Sequence, residues 1–246
     1  KNGGFYAHSE TFDSDYAENH FPTDSDGNLY RGRRANESPP GGGGAGLAYL
    51  GQDPAPYVSY IKSTNASAAD WSDVIDLTYV LNEATDDVYV EEVHRVIDVD
   101  QWFLTFAVNT FISNTEYGLF TGDPLGDDYA MYRGNEDSRF QMVPYDWDTS
   151  FRNLNLSIFK PGDVDQLNKL ITHPEFLPQF YAAYRDLIQN VILTDDLGPA
   201  LDAALYGIAP NTQINDIKSF LRNRADVVLN QINDQLVVAA DLPVEE

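Results

Sequence analysis

Five carboxylates bracket one short pattern in the sequence: Glu116, Asp127, Asp128, Asp146 and Asp148. Between them lie Tyr129-Ala130-Met131-Tyr132 and Phe140-Gln141-Met142-Val143, two runs of strand composition separated by the turn-rich Gly134-Asn135-Glu136-Asp137-Ser138. The pattern predicts a β-hairpin from about Asp128 to Val143. With the turn centred near Glu136, facing residues have numbers that sum to about 272, so Asp127 and Asp128 lie opposite Tyr145 and Pro144, next to Asp146. Acids distant in sequence then become neighbours at the feet of the hairpin. Carboxylates so close repel and raise one another's pKa unless a cation sits among them. A ligand set of oxygens, without His or Cys, suits a hard ion such as Mg²⁺ or Mn²⁺, and through it a phosphate.

The same acids have a plainer reading. In a chain this acidic, a carboxylate at a strand end is often a solvated turn residue, and for Asp127 alone the two readings weigh equally. Asp146 and Asp148 differ, because in Val143-Pro144-Tyr145-Asp146-Trp147-Asp148-Thr149-Ser150-Phe151 they alternate with large apolar residues. That alternation predicts partial burial, which a charge tolerates only with a compensating partner.

The elements that must position these acids are mostly helical. Apolar residues at helical spacing predict a helix from Ala66 to about Glu83 with Ser67 as its cap, and a second over Val88–Val96. Asp98 or Asp100 then caps a helix carrying Trp102, Phe103, Leu104, Phe106, Ala107, Val108, Phe111 and Ile112, apolar on most sides and so central to the core. A loop from Asn114 to Asp127 leads into the hairpin. After it, helices are expected at about Val164–Thr172, Pro174–Val191, Asp195–Tyr206 and Asn211–Leu236. Residues 1–60, rich in Asp, Asn, Gly and Pro, read as loops with short elements, and residues 61–246 as a helical lobe carrying the hairpin. The fold class is α+β, predominantly α.

Composition narrows the function. With 15 basic and 39 acidic residues the net charge is -24, which repels nucleic acid phosphates and anionic membranes. No run approaches the roughly 20 apolar residues of a membrane helix, so neither nucleic acid nor membrane insertion is expected. The absence of cysteine removes disulfides, thiolate metal sites and thiol nucleophiles. Gly41 to Gly44 lack a following Gly-Lys-Ser/Thr and read as a flexible connector. Asp24-Ser25-Asp26-Gly27-Asn28 has a calcium-loop flavour but lacks the distal Glu, so it reads as a turn. The four histidines have no zinc-binding spacing.

In order and spacing, Asn114-Thr115-Glu116, then Asp127-Asp128-Tyr129-Ala130-Met131-Tyr132, then Pro144-Tyr145-Asp146-Trp147-Asp148 resembles the spore-coat CotH-type atypical kinases. Gly27-Asn28-Leu29-Tyr30, Ile97-Asp98-Val99-Asp100 and Phe220-Leu221-Arg222-Asn223-Arg224 extend the resemblance over roughly residues 27 to 235. It implies the C-terminal half of an atypical protein-kinase-like fold that uses ATP with Mg²⁺ or Mn²⁺ to phosphorylate Ser or Thr of a secreted or surface protein. It implies a location outside the cell or on the cell or spore surface. Carried over by position, Asp146 is the metal-binding Asp after the hairpin, Asp148 its companion and Asp128 the counterpart of a metal-holding Asn. Glu116 stands where the catalytic Asp accepts the attacking hydroxyl's proton, and Asn114 belongs to the cofactor side; apart from the resemblance, most tyrosines read as core and loop packing, while Tyr132 and Trp147, near the acids, read as flanking a nucleotide base.

Two departures accompany the resemblance: Glu for Asp at 116 and Asp for Asn at 128. A kinase-like fold also needs a β-rich lobe bearing a Lys. Lys1, Lys62, Lys160, Lys169 and Lys218 fall in no strand of that kind by sequence, so residues 1–60 read as the remnant of, or linker from, such a lobe. Two other functions compete: a catalytically impaired pseudokinase or structural protein-binding module, and a glycosyl or sugar-phosphate transferase using Asp146-Trp147-Asp148 as an Asp-x-Asp motif. The transferase needs a parallel βαβ sheet, against which the helix-rich pattern argues.

Overall fold

The computed structural model describes residues 9–119 and 126–240. Lys1 and part of the expected Asn114–Asp127 loop lie outside the described residues. The chain is mostly helical with one small antiparallel sheet, an α+β fold. Helix α1 (Ser14–His20) is followed by strands β1 (Asn28–Gly32) and β2 (Tyr60–Lys62), then α2 (Ser72–Glu83), α3 (Asp86–Val96) and α4 (Val99–Phe111). The hairpin β3 (Ala130–Arg133) and β4 (Phe140–Val143) comes next, and α5 (Asp165–Thr172), α6 (Leu177–Leu187), α7 (Leu197–Leu205) and α8 (Asn211–Ala240) complete the fold.

The hairpin is not alone. The sheet order is β2-β1-β3-β4, so a strand from the Gly- and Asp-rich first segment pairs along β3, with Tyr30 opposite Met131 and Arg31 opposite Ala130. Side chains alternate between the two faces of the sheet. Tyr30, Met131, Phe140 and Met142 enter the main core, whereas Leu29, Ala130, Tyr132 and Val143 meet Tyr16 and Ala17 of α1 in a smaller one.

Helix α4 is the spine of the main core, with Trp102, Phe103, Phe106, Ala107 and Phe111 fully buried. Its Asp98 cap receives the Gln101 N–H at 3.3 Å. Leu104 is the exception to an all-round apolar helix and is exposed. The first turn of α4 also closes the outer edge of β4. Gln101 both donates to the Met142 carbonyl and accepts its N–H, each at 2.7 Å, and Trp102 Nε1 donates to the Phe140 carbonyl at 2.8 Å. An edge strand's orphan groups are thereby satisfied by a helix instead of a further strand.

Helix α2 starts later than the apolar periodicity predicts. Residues Ala66–Ala68 form a short 3₁₀ turn, Ala69 is left-handed at φ 48°, and the Asp70 carboxylate accepts the Ser72 N–H at 2.9 Å, so the α-helix begins at Ser72 and Ser67 does not cap it. A left-handed residue cannot sit inside an α-helix.

Candidate functional site

The feet of the hairpin gather acids, in a register one residue away from the expected one. Ala130 faces Val143 and Tyr132 faces Gln141. The turn is held by Asp24, whose carboxylate accepts the N–H groups of Asn135 at 2.8 Å, Glu136 at 3.0 Å and Asp137 at 2.9 Å. That clamp centres the turn between Glu136 and Asp137 and not on Glu136. Pairing ends at Ala130 and Val143, short of Asp127 and Asp128 on one side and Tyr145 and Asp146 on the other. Asp128 and Asp146 both adopt left-handed backbone, at φ 48° and 49°, one at each foot.

Burial runs opposite to the expectation from apolar alternation. Asp127, read equally well as a solvated turn residue, is 6 % exposed and accepts from both Nε and Nη2 of Arg34. Asp146 and Asp148, expected to be partly buried, are exposed. Trp147 is itself 42 % exposed, so the large side chain between these acids does not cover them.

Exposed as they are, the acids stand on an anchored loop. Asn114 is fully buried and its amide is entirely committed: Nδ2 donates to Asn109 Oδ1 and to the Asp146 carbonyl, both at 3.1 Å, while Oδ1 accepts the Glu116 N–H at 3.2 Å and the Thr149 hydroxyl at 3.0 Å. One side chain thus joins the end of α4, the backbone of Glu116 and the backbone of Asp146. Beyond it, the Phe151 N–H reaches the Ile112 carbonyl at 2.6 Å, and the N–H groups of Arg152 and Asn153 share Ser113 Oγ at 3.1 and 3.0 Å. Arg224 of α8, completely buried, donates to the carbonyls of Leu154, Leu156 and Thr110. Gly118 lets the preceding loop touch the other foot. Its N–H bonds the Asp127 carbonyl at 3.2 Å, and a Cβ there would lie 2.2 Å from that oxygen.

The charges are unevenly balanced. Asp128 is half-buried, and its carboxyl is pushed up to about 6, first by burial and then by repulsion from Asp127 and Asp146. Arg34 and Arg31 pull it the other way without prevailing. Arg31, on β1, lies with its guanidinium 4.5 Å from the centre of the Tyr145 ring. The Tyr145 ring also meets Phe12 at 5.3 Å, and a cleft of about 290 Å³ opens beside Asp146, lined also by Glu10, Phe12, Tyr16 and Tyr145.

Two of the expected site residues have other work. Tyr132 stacks on Phe21 at 3.9 Å, donates its hydroxyl to the Asp24 carbonyl and accepts the Gly27 N–H at 2.9 Å. Being 2 % exposed at the turn end of β3, it has no face open to a base. Asn114 has no donor or acceptor left for a cofactor, and instead holds the backbones of Glu116 and Asp146. Trp147, Asp146, Asp148 and Glu116 all reach solvent.

Comparison with family models supplies the deciding observation: the model of the CotH kinase proteins matches residues 1–234. The chain belongs to the CotH kinase family. A search of curated proteins gives no match. Membership in the CotH kinase family carries a kinase-like function and implies nucleotide and protein substrates; proteins of that family are associated with the spore coat. No helix among the described residues is long and apolar enough to cross a membrane.

The sequence reading missed the basic side chains near these acids. Arg31, Arg33 and Arg34 fall within four residues in a chain with 15 basic groups and a net charge of -24. That local reversal of sign is the signal that could have marked them. Lys62, placed in no strand by sequence, ends β2, but its Nζ donates to the Asp70 carbonyl at 2.7 Å and lies 5.2 Å from the centre of the Tyr30 ring, which enters the main core.

Proposed function

We propose that this CotH kinase domain transfers the terminal phosphoryl group of ATP, with Mg²⁺ or Mn²⁺, to a Ser or Thr hydroxyl of a secreted or surface protein. The observation that carries the reading is the double reach of Asn114, which ties the backbones of Glu116 and Asp146 to one buried amide. A catalytic carboxylate and a metal-binding carboxylate thereby share one rigid support, as phosphoryl transfer by positioning requires.

The donor set fits a hard divalent ion. Asp128, Asp146 and Asp148 supply oxygens alone, and the carboxyl of Asp128 is raised first by burial and then by the charges of Asp127 and Asp146, the part that a cation would relieve. When bound, such an ion neutralises phosphate charge. Asp146 and Asp128 would hold it with Asp148 assisting, and Trp147 offers an exposed ring to the base. Glu116 orients the attacking hydroxyl and takes its proton.

Calorimetric titration with ATP plus Mg²⁺ or Mn²⁺ tests the reading. Binding is expected in the wild type and lost in Asp146→Ala, and transfer to a Ser/Thr-containing acceptor should fall on the order of 100-fold or more in that variant. Absence of nucleotide binding with either ion would overturn it. The impaired-kinase alternative has its own signature, nucleotide binding without transfer. Glu116→Asp, which withdraws the carboxylate by one methylene, separates the two by restoring transfer only if the base is misplaced by that length.

A further inference from the structure

Polyphosphate carries several negative charges into a chain whose own net charge is -24, so a nucleotide site here needs local cations besides any divalent ion. Among the described residues the lysines are engaged elsewhere: Lys62 with Asp70, Lys160 with Asp163, Lys169 with Ala84 and Asp86, and Lys218 with Asp202. Arg34 is spent on Asp127.

Arg31 is placed differently. It faces Ala130 across the β1–β3 ladder, two residues from Asp128, and its side chain lies on the sheet face that also carries α1 and Tyr145. Its Nε is buried with no hydrogen-bond partner among the described residues. A buried donor left unpaired costs about 1–3 kcal/mol, so it calls for an explanation. Arg224 shows the contrast: its Nε is also unpaired, but the rest of its fork is used on three backbone carbonyls. The Arg31 guanidinium rests on the Tyr145 ring, which fixes its plane without using its N–H groups.

We propose that Arg31 is the phosphate-binding cation of this site, its fork donating to oxygens of the phosphates that are not transferred while Tyr145 holds its plane beside Asp128 and Asp146. The inference rests on the kinase reading above. The competing role for Arg31 is to offset the charge of Asp128 and Asp146 without touching ligand.

Titration calorimetry of wild type, Arg31→Ala and Arg31→Lys with Mg²⁺ alone and with Mg²⁺–ATP distinguishes the two. A phosphate contact predicts that Arg31→Ala weakens Mg²⁺–ATP by about 10- to 100-fold, while Mg²⁺ alone binds as well or better because a neighbouring positive charge is gone. Mg²⁺–ATP affinity within about twofold of wild type would overturn the assignment and leave the kinase reading standing. So would an equal loss for Mg²⁺ alone, which is the mark of a distorted site. A wild type that binds no nucleotide with any divalent ion overturns both. Should Arg31→Ala fail to fold, Arg31→Lys decides: it keeps the charge and loses the fork, so several-fold weaker Mg²⁺–ATP binding supports the contact and unchanged affinity overturns it.

Discussion

The two ends of one hairpin use aspartate in opposite ways. At the turn, Asp24 is held by three backbone N–H groups. Partial burial works to raise its carboxyl, but the hydrogen bonds from Asp137, Glu136 and Asn135 outweigh this and leave it below the usual carboxylate range. At the feet, Asp128 meets burial and two further carboxylates, and its pKa climbs to about 6. The same side chain is held charged where donors surround it and is pushed towards its neutral form where burial and other acids meet it. Hydrogen-bond donors lower the one carboxyl, whereas burial and neighbouring acids raise the other.

The largest effect should come from the support of the feet. Asn114→Ala removes both halves of the buried amide and strands Asn109 Oδ1, the Asp146 carbonyl and the Thr149 hydroxyl. A loss of about 2–4 kcal/mol is expected by chemical denaturation, with a larger fall in transfer rate than in nucleotide affinity. A variant with wild-type stability would show that the two loops do not depend on that amide.

Breaking the other end should be milder and functionally silent. Asp24→Ala leaves three N–H groups to solvent and should cost about 1–2 kcal/mol near neutral pH, with nucleotide affinity unchanged. Because the folded-state pKa of Asp24 is lowered, its contribution is present above the unfolded value of about 3.9 and fades as pH falls through the folded value. Wild type and variant melting curves should therefore converge in acid. A change in nucleotide affinity would mean that the two ends are coupled.

The smallest effect has the opposite sign. The raised pKa of Asp128 means that its stabilising contribution is complete below about 4 and is lost as pH rises through about 6. In protein stripped of divalent ions, Asp128→Asn should be more stable than wild type at pH 7 by about 1 kcal/mol, a rise of about 2–4 °C in melting temperature. Near pH 4 the advantage should vanish. Added Mg²⁺ should stabilise the wild type more than the variant, and equal stabilisation would remove Asp128 from the ligand set.

Local pattern made much of this legible. Alternating strand residues around Gly134 to Ser138 and the apolar run of α4 are short-range signals, and the hairpin, α4 and its Asp98 cap follow from them. The α+β class and the kinship with CotH kinases were readable in the same way. Long-range partners were not. Nothing near Asn28 announces that β1 will pair with β3, and nothing near Asp24 announces that it will set the register of a turn more than a hundred residues later. Burial failed for a related reason. Trp147 and Tyr145 have the composition of a core segment, yet neither is buried, whereas Asp127 is covered and pairs with Arg34, distant in sequence. The role of Asn114 was equally hidden, since an asparagine that binds ligand and one that binds four protein groups look alike in a sequence.

The left-handed backbone at Asp128 and Asp146 limits which residues can ever occupy the feet of the hairpin. Glycine, asparagine and aspartate enter that region at small cost, while β-branched and bulky residues pay heavily. Among these three, exchange between Asp and Asn alters charge but scarcely alters shape. The chain is thus confined to a short alphabet at the two places where charge matters most. Along a lineage, the charge at the feet can be retuned by single substitutions that leave the hairpin, its register and its anchored loop as they are.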